Sequence, residues 1–314
     1  MAHADLPTGS AAPEITVVIP TRDRREMVVG TVGEVLLQSA VTLEIIVVDD
    51  GSQDDTSATL NALNDDRIRV LRKLVPGGAA NARNSGIAAA RTDWVAFLDD
   101  DDRWAPDKLR RQLDAANAED ADFVYAAAVT VDPSGRVDEH LPAPSPAALV
   151  AGIRGRNVVP AGASNIIART ALLQALDGFD VALTHLTDWD LWLRLTEAGR
   201  PARCPEILVA YMLHEDNIHL RQADAAAREA DRLVVKHQTS TLPGSLDRAA
   251  LDGWAAWAEL RAGHHRRAAR HAARAAVRRP SLGHARALAS VGLQAIGLWR
   301  PRRRYVPAPE WLAR

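Results

Sequence analysis

Three groups of acids are placed where chemistry could use them. Asp49 and Asp50 close the apolar run "LEIIVV", Asp99 to Asp102 close "WVAFL", and Asp188 and Asp190 sit in "LTDWDLWLRL". Neighbouring carboxylates repel, and a buried one without a partner is costly. A strand that ends on four of them therefore needs a compensating charge. Oxygen ligands suit Mg²⁺ or Mn²⁺, ions that usually share their coordination with phosphates. Asp99 and Asp101 bracket one residue in a turn, a spacing that can bring both to one ion. The plain alternative is a solvated acidic turn in which Asp102 caps the next segment. Asp50 could accept from a base N–H or a sugar hydroxyl, with Gly51 and Ser52 allowing a tight turn. Equally, Asp50 or Ser52 could cap the following helix. In the third group Thr187 reads as an N-cap and Asp190 as its capping-box partner. Asp188 then opens the helix, where the dipole favours an ionised carboxylate of the kind a general base needs.

The elements that must carry these groups follow from the hydrophobic pattern. Residues 15–19 read as a strand and 43–48 as a buried one, with further strands at "IRVLRKL", "WVAFL", "ADFVYAAAVTVD" and "ILVAYMLH". Helices are expected over 26–39, 54–63, the second half of "GGAANARNSGIAAARTD", the stretch opened by Pro106, and "THLTDWDLWLRLTEAG" up to Gly199. Strands that are apolar nearly throughout and alternate with helices predict an α/β fold, with a mostly parallel sheet covered on both faces. Ligands bind such sheets beyond the carboxyl ends of the strands, where the acids lie. Residues 141–163, rich in proline, alanine and glycine, read as a surface loop. From about 246 the chain becomes alanine-rich, and Gly263 and Pro280 divide it into roughly three helices.

The chain has 314 residues and 47% apolar content, enough for a large core and too apolar for wholesale disorder. Its single cysteine, Cys204, excludes an internal disulfide and fits a reducing compartment. The first residues have neither the basic start nor the apolar stretch of a secretory signal, so a cytoplasmic protein is expected. Charge is lopsided: Gly263 to Arg314 carries twelve arginines and one acid, Glu310, against a net charge of −2 for the whole chain. Such a tail suits an anionic partner, or it docks on the acidic remainder.

"ITVVIPTRDR", "EIIVVDDGSQDDT", "GGAANARNSGIAAA", "WVAFLDDDDRW" and "LTDWDLWLRL" occur in that order and at family-like spacing. Together they resemble the family 2 nucleotide-sugar glycosyltransferases with the GT-A fold, over about residues 13–215. The resemblance implies an inverting transfer from a nucleoside-diphosphate sugar, UDP-sugars being the commonest donors, assisted by Mn²⁺ or Mg²⁺. It assigns Pro20 and Thr21 to the nucleotide, Asp50 to the base, and Arg83 to the nucleotide and its phosphates. Asp99 and Asp101 match the motif written DXD, with Asp101 as direct metal ligand and Asp99 nearer the ribose. His214 of "YMLHEDN" matches a histidine near the metal or diphosphate. Asp188 matches the catalytic base, although Thr187 stands where the family usually has a second acid. Trp189 reads as an acceptor-side contact or as core.

The resulting layout is a catalytic domain over 13–245, with a nucleotide half of about 13–130 and an acceptor half of about 131–245. An arginine-rich helical region spans 246–314. The acceptor is open among sugar, lipid-linked, peptide and small-molecule classes. A sugar nucleotidyltransferase is the nearest rival, but "PTRDRREM" lacks the glycine-rich activating loop. Nucleic-acid binding by the tail is a weaker alternative. Peripheral contact with the inner membrane face is a further one, suggested by the apolar stretch and arginines of 288–305.

Overall fold

The computed structural model describes residues 12–213, 223–261, 263–280 and 306–312. Strands β1 (Ile15–Thr21), β2 (Leu43–Asp49), β3 (Ile68–Arg72) and β4 (Trp94–Phe97) alternate with helices α1 (Arg25–Leu36), α2 (Thr56–Asn61) and α3 (Gly78–Ala89). Then come β5 (Arg103–Trp104), α4 (Lys108–Glu119), β6 (Phe123–Val131), β7 (Val137–Leu141) and α5 (Pro146–Gly152). A 3₁₀ turn (Gly162–Asn165) leads to β8 (Ile167–Arg169), α6 (Thr170–Ala175), α7 (Thr187–Ala198) and β9 (Pro201–Met212). Beyond the sheet lie α8 (Ala223–Lys236), α9 (Arg248–Arg261) and α10 (His265–Arg278).

The strands form one sheet in the order β3-β2-β1-β4-β8-β6-β9-β5, with β7 added on β6. β3, β2, β1 and β4 run parallel, as the continuous apolar runs predict. Beyond β4 the sheet is mixed: β8 is antiparallel to both neighbours, β6 and β9 are parallel, and β5 and β7 are antiparallel additions. Register places Thr21 opposite Asp49 and Val18 opposite Phe97, so the carboxyl ends of β1, β2 and β4 open on one edge.

Alternation along each strand splits the core between the two faces. Val18, Val95 and Phe97 pack with α3, α7 and α8 through residues such as Ile87, Trp192 and Leu233. Val17, Ile19, Ala96 and Leu98 pack on the other face with α1 and α4 through Val32, Leu109 and Leu113. At Gly86 α3 packs tightly on the sheet: a Cβ there would lie 2.2 Å from the Val18 side chain.

Three segments depart from expectation. The presumed loop 141–163 contains α5, started by Ser145, whose Oγ accepts from Ala148 N at 3.2 Å, and by a proline in the first turn. Arg154, at the end of that segment, donates to the backbone carbonyls of His237, Leu242 and Gly244 and so terminates α8. α3 begins at Gly78, not midway through its stretch. Two of the expected C-terminal helices are α9 and α10; the third lies outside the described residues, as does 288–305. Leu246 and Leu251 share the buried cluster of Trp192. Residues 306–312 return to the sheet, where Trp311 Nε1 donates to Ile207 O at 3.0 Å. Among the described residues no helix is long and apolar enough to cross a membrane.

Candidate active site at the carboxyl edge of the sheet

A cavity of about 430 Å³ opens at the carboxyl edge. Its wall takes Pro20, Thr21, Arg22 and Arg24 from the end of β1 and the turn after it, and Asp50 from beyond β2. Gly78, Ala79, Ala82 and Arg83 come from α3, Asp99 to Asp101 from beyond β4, and Tyr211 from β9. Thr184, His185, Thr187 and Asp188 come from the start of α7 and the loop before it. Pro20, Thr21, Asp50, Arg83, Asp99, Asp101 and Asp188 are thus all brought to one cavity. His214 lies outside the described residues.

The four consecutive aspartates avoid one another by taking different partners. Asp99 accepts from Arg83 Nη2 at 2.5 Å. Asp100 is buried and accepts from Thr21 Oγ1 at 2.7 Å and Arg24 Nη1 at 2.8 Å. Burial nonetheless pushes its carboxyl up to about 6. Asp101 shares the same Arg24 nitrogen at 2.9 Å. Asp102 points inward, accepting from Ser164 Oγ at 2.5 Å and Met212 N at 2.9 Å. Burial, then the charges of Asp101 and Asp99, hold it well above the usual carboxylate range.

Asp50 turns toward the start of α3, accepting from Gly77 N at 2.9 and 3.0 Å and from Gly78 N at 2.7 Å. Neither Asp50 nor Ser52 supplies a cap hydrogen bond to α2. Asp49 takes that local work instead, accepting from Ser52 N at 2.8 Å and from the Ser57 hydroxyl. Gly51, at φ 81°, makes the turn possible, and a Cβ there would lie 3.0 Å from the Pro76 ring.

Arg83 joins the two sides of the cavity. It is buried, stands over the Phe179 ring at 5.2 Å, and reaches Asp188 at 3.5 Å with the nitrogen not given to Asp99. Burial opposes its charge, but Asp99 and Asp188 keep it firmly protonated. Asp188 also accepts from Ala163 N at 3.2 Å. Burial raises its carboxyl above the ordinary value despite Arg83.

The capping-box reading is overturned. Leu186 is the N-cap, without a side-chain bond, and Thr187 is the first helical residue. Asp190 is fully buried, accepting from Arg194 at 2.6 and 2.9 Å, with Lys236 Nζ and His237 Nε2 each at 2.9 Å. Trp189 is core, 4% exposed, with Nε1 donating to Ile153 O at 2.6 Å. Arg24, His185 and Tyr211 line the cavity and were not picked out from sequence. Arg24 had a signal, since it follows the first strand within "PTRDR"; Tyr211 looked like any strand residue.

The profile of glycosyl transferase family 2 matches residues 16–174, just over half of the chain. The chain belongs to glycosyl transferase family 2. Among similar proteins, the UDP-Glc:alpha-D-GlcNAc-diphosphoundecaprenol beta-1,3-glucosyltransferase WfaP of Escherichia coli is 33% identical over 112 residues, 36% of this chain and 45% of that protein. The pre-mycofactocin glycosyltransferase of Mycobacterium tuberculosis is 31% identical over 271 residues, 81% of this chain and 54% of that protein. The chain spans about half the length of these two relatives. The mannosyltransferase PcManGT from Pyrobaculum calidifontis, solved with GDP-Man and Mn²⁺, superposes with a TM-score of 0.61 at 20% identity, covering 93% of this chain and 82% of that one. That likeness shows the fold, a GT-A-type α/β architecture with a mixed sheet flanked by helices.

Proposed function

We propose that this family 2 member is an inverting glycosyltransferase that moves a sugar from a UDP-sugar to an acceptor hydroxyl by single displacement. The observation that carries the reading is the Arg83 bridge, which sets the nucleotide-side Asp99 and the helix-borne Asp188 across one cavity. Pro20, Thr21 and Asp50 form the base side of the donor site, and Arg83 faces the diphosphate. Asp188 takes the acceptor proton as the acceptor oxygen bonds to the anomeric carbon. The bond from that carbon to the diphosphate breaks, and its electron pair leaves with UDP. A carboxylate whose proton affinity is raised by burial is a better base for a hydroxyl than an exposed one. Tyr211 and His185 bound the acceptor side.

The donor set also fits a divalent ion. Among the described residues no group of three or more His, Cys, Asp or Glu side chains forms a complete metal site. Two hard carboxylates, Asp99 and Asp101, suffice where a diphosphate completes the sphere. Burial first, and then the charges of Asp101 and Asp99, raise Asp102, and Asp99 and Asp101 themselves line the cavity. Mn²⁺ or Mg²⁺ held by Asp101 and Asp99, with His214 as a further ligand, would neutralise charge developing on the diphosphate. PcManGT, which shares the fold, was solved with Mn²⁺.

The WfaP name points to UDP-glucose as a donor and a lipid-linked acceptor, and the mycobacterial name to a different acceptor. The exposed Arg266, Arg270 and Arg274 on α10 favour peripheral contact with an anionic surface. Failure of anionic liposomes to retain the protein at low salt would remove that part. The main test is incubation with a panel of nucleotide sugars, Mn²⁺ and candidate acceptors, followed by mass and anomeric configuration of the product. An inverted glycoside is expected; a retained configuration, or nucleotidyl transfer, defeats the reading.

A further inference from the structure

One face of α8 is spent on the loop that leads into α7. Glu229 Oε1 accepts from Thr184 N at 2.8 Å, and its Oε2 accepts from His185 N at 2.8 Å and Leu186 N at 3.2 Å. One turn on, Arg232 Nη1 donates to Ala182 O at 3.1 Å. A further turn brings Lys236 Nζ to Asp180 Oδ2 at 2.6 Å. These residues share a stripe because they are three and four apart. Three successive backbone N–H groups on one carboxylate form an anion nest, and charge-assisted bonds of this kind are the strong ones.

The geometry points to Glu229 as a positioning residue for Asp188, an inference that rests on the transferase reading above. Leu186, the last amide in the nest, is the N-cap of α7, and Asp188 follows two residues later. Thr184 and His185, the other two, line the cavity themselves. The Asp188 carboxylate is oriented by Ala163 N and Arg83, but its backbone is set by where α7 begins. The carboxylate of Glu229 acts on the main chain that carries the cavity-lining residues Thr184 and His185. A displacement of about 1 Å in a catalytic group can cost ~10²-fold in rate, so loosening this anchor should be visible in turnover.

The test uses the full chain with UDP-glucose and Mn²⁺, water as acceptor, and UDP release as readout. Glu229→Gln keeps the shape and removes the charge. Its turnover should fall about 10-fold or more, with KM for UDP-glucose and affinity for UDP within about 2-fold of wild type. The acid limb of the pH profile should stay in place while the plateau drops. Glu229→Asp, charged but one methylene shorter, should recover part of the rate. Val235→Ala, at an exposed position on the same helix, should change neither. Amide exchange over 184–188 should quicken in Glu229→Gln while 43–49 is unchanged. Unaltered turnover and exchange, or equal loss of turnover and UDP affinity, overturns the inference. If Glu229→Gln does not fold, Glu229→Asp carries the same comparison. If wild type releases no UDP, the transferase reading on this donor falls, and the exchange experiment still decides whether Glu229 anchors the loop.

Discussion

Asp190 Oδ1 lies 2.9 Å from His237 Nε2, joining the helix that starts at the cavity to the residue that follows α8. Burial alone would raise this carboxyl, but His237, Arg194 and Lys236 bring it down to about 2 from 3.8. A lowered carboxyl stabilises the fold above its unfolded pKa and loses that contribution as pH falls toward its folded one. Roughly 2 kcal/mol should therefore disappear between about pH 4 and pH 2. Urea unfolding across that range should show it, and Asp190→Asn should abolish that component. At pH 7 the same change should cost about 3–5 kcal/mol, because three donors lose a buried anion. A loss under about 1 kcal/mol would instead fit a simple helix cap.

Asp188→Asn should leave the protein folded and able to bind UDP while turnover falls by roughly 10²-fold or more. In wild type, activity should rise with pH through an acid limb displaced upward from the ordinary carboxylate value, since burial raises Asp188 and it must be ionised to accept a proton. Steady-state rates from pH 4 to 8, for both proteins, check the pair of statements. Near wild-type turnover in the variant would remove Asp188 from the mechanism.

Asp101 and Asp102 should separate metal binding from folding. Calorimetry with UDP should show affinity enhanced by Mn²⁺ in wild type and no enhancement in Asp101→Ala. Asp102→Asn should retain the enhancement but lose about 1–3 kcal/mol of stability, because one of the donors from Ser164 and Met212 would then face an amide N–H. Enhancement that survives in Asp101→Ala would move the ion elsewhere.

Much of this site was legible because strand ends announce themselves. An apolar β-branched run such as "LEIIVVDD" gives both the strand and the position of its terminal acids, and parallel packing then puts Asp50 and Asp99 on one edge. The place of Asp188 beside the cavity was legible by motif, but the buried cluster of Asp190 was not. Its partners, Lys236 and His237, stand almost fifty residues on, and a local capping pattern offered a nearer explanation. α5 and β7 were missed because short elements are decided by tertiary contacts such as the burial of Leu149 and Val137. The clamp from α8 was invisible for the same reason: a carboxylate that binds backbone amides leaves no trace in side-chain type.

Gly86→Ala should destabilise the protein by about 1–3 kcal/mol, even though alanine is the better helix former by ~1 kcal/mol. The added methyl would meet Val18 at 2.2 Å, where α3 lies on β1. Thermal unfolding of Gly86→Ala beside Gly86→Ala with Val18→Ala should show the second change restoring part of the loss. Two independent, additive losses would argue against the contact.

The mixed half of the sheet also sets an order of events during synthesis. β3, β2, β1 and β4 can condense as soon as they leave the ribosome, but the free edge of β4 must wait for β8, with Trp94 finding Arg169. Asp102 waits longer still, because the amide that satisfies it belongs to Met212, 110 residues downstream. At about 5–20 residues per second that gap lasts roughly 5–20 s. The nascent chain carries an unpaired edge of β4 until β8 emerges and an incompletely satisfied acid in its future interior until Met212 does, the kind of surface that holdase chaperones capture.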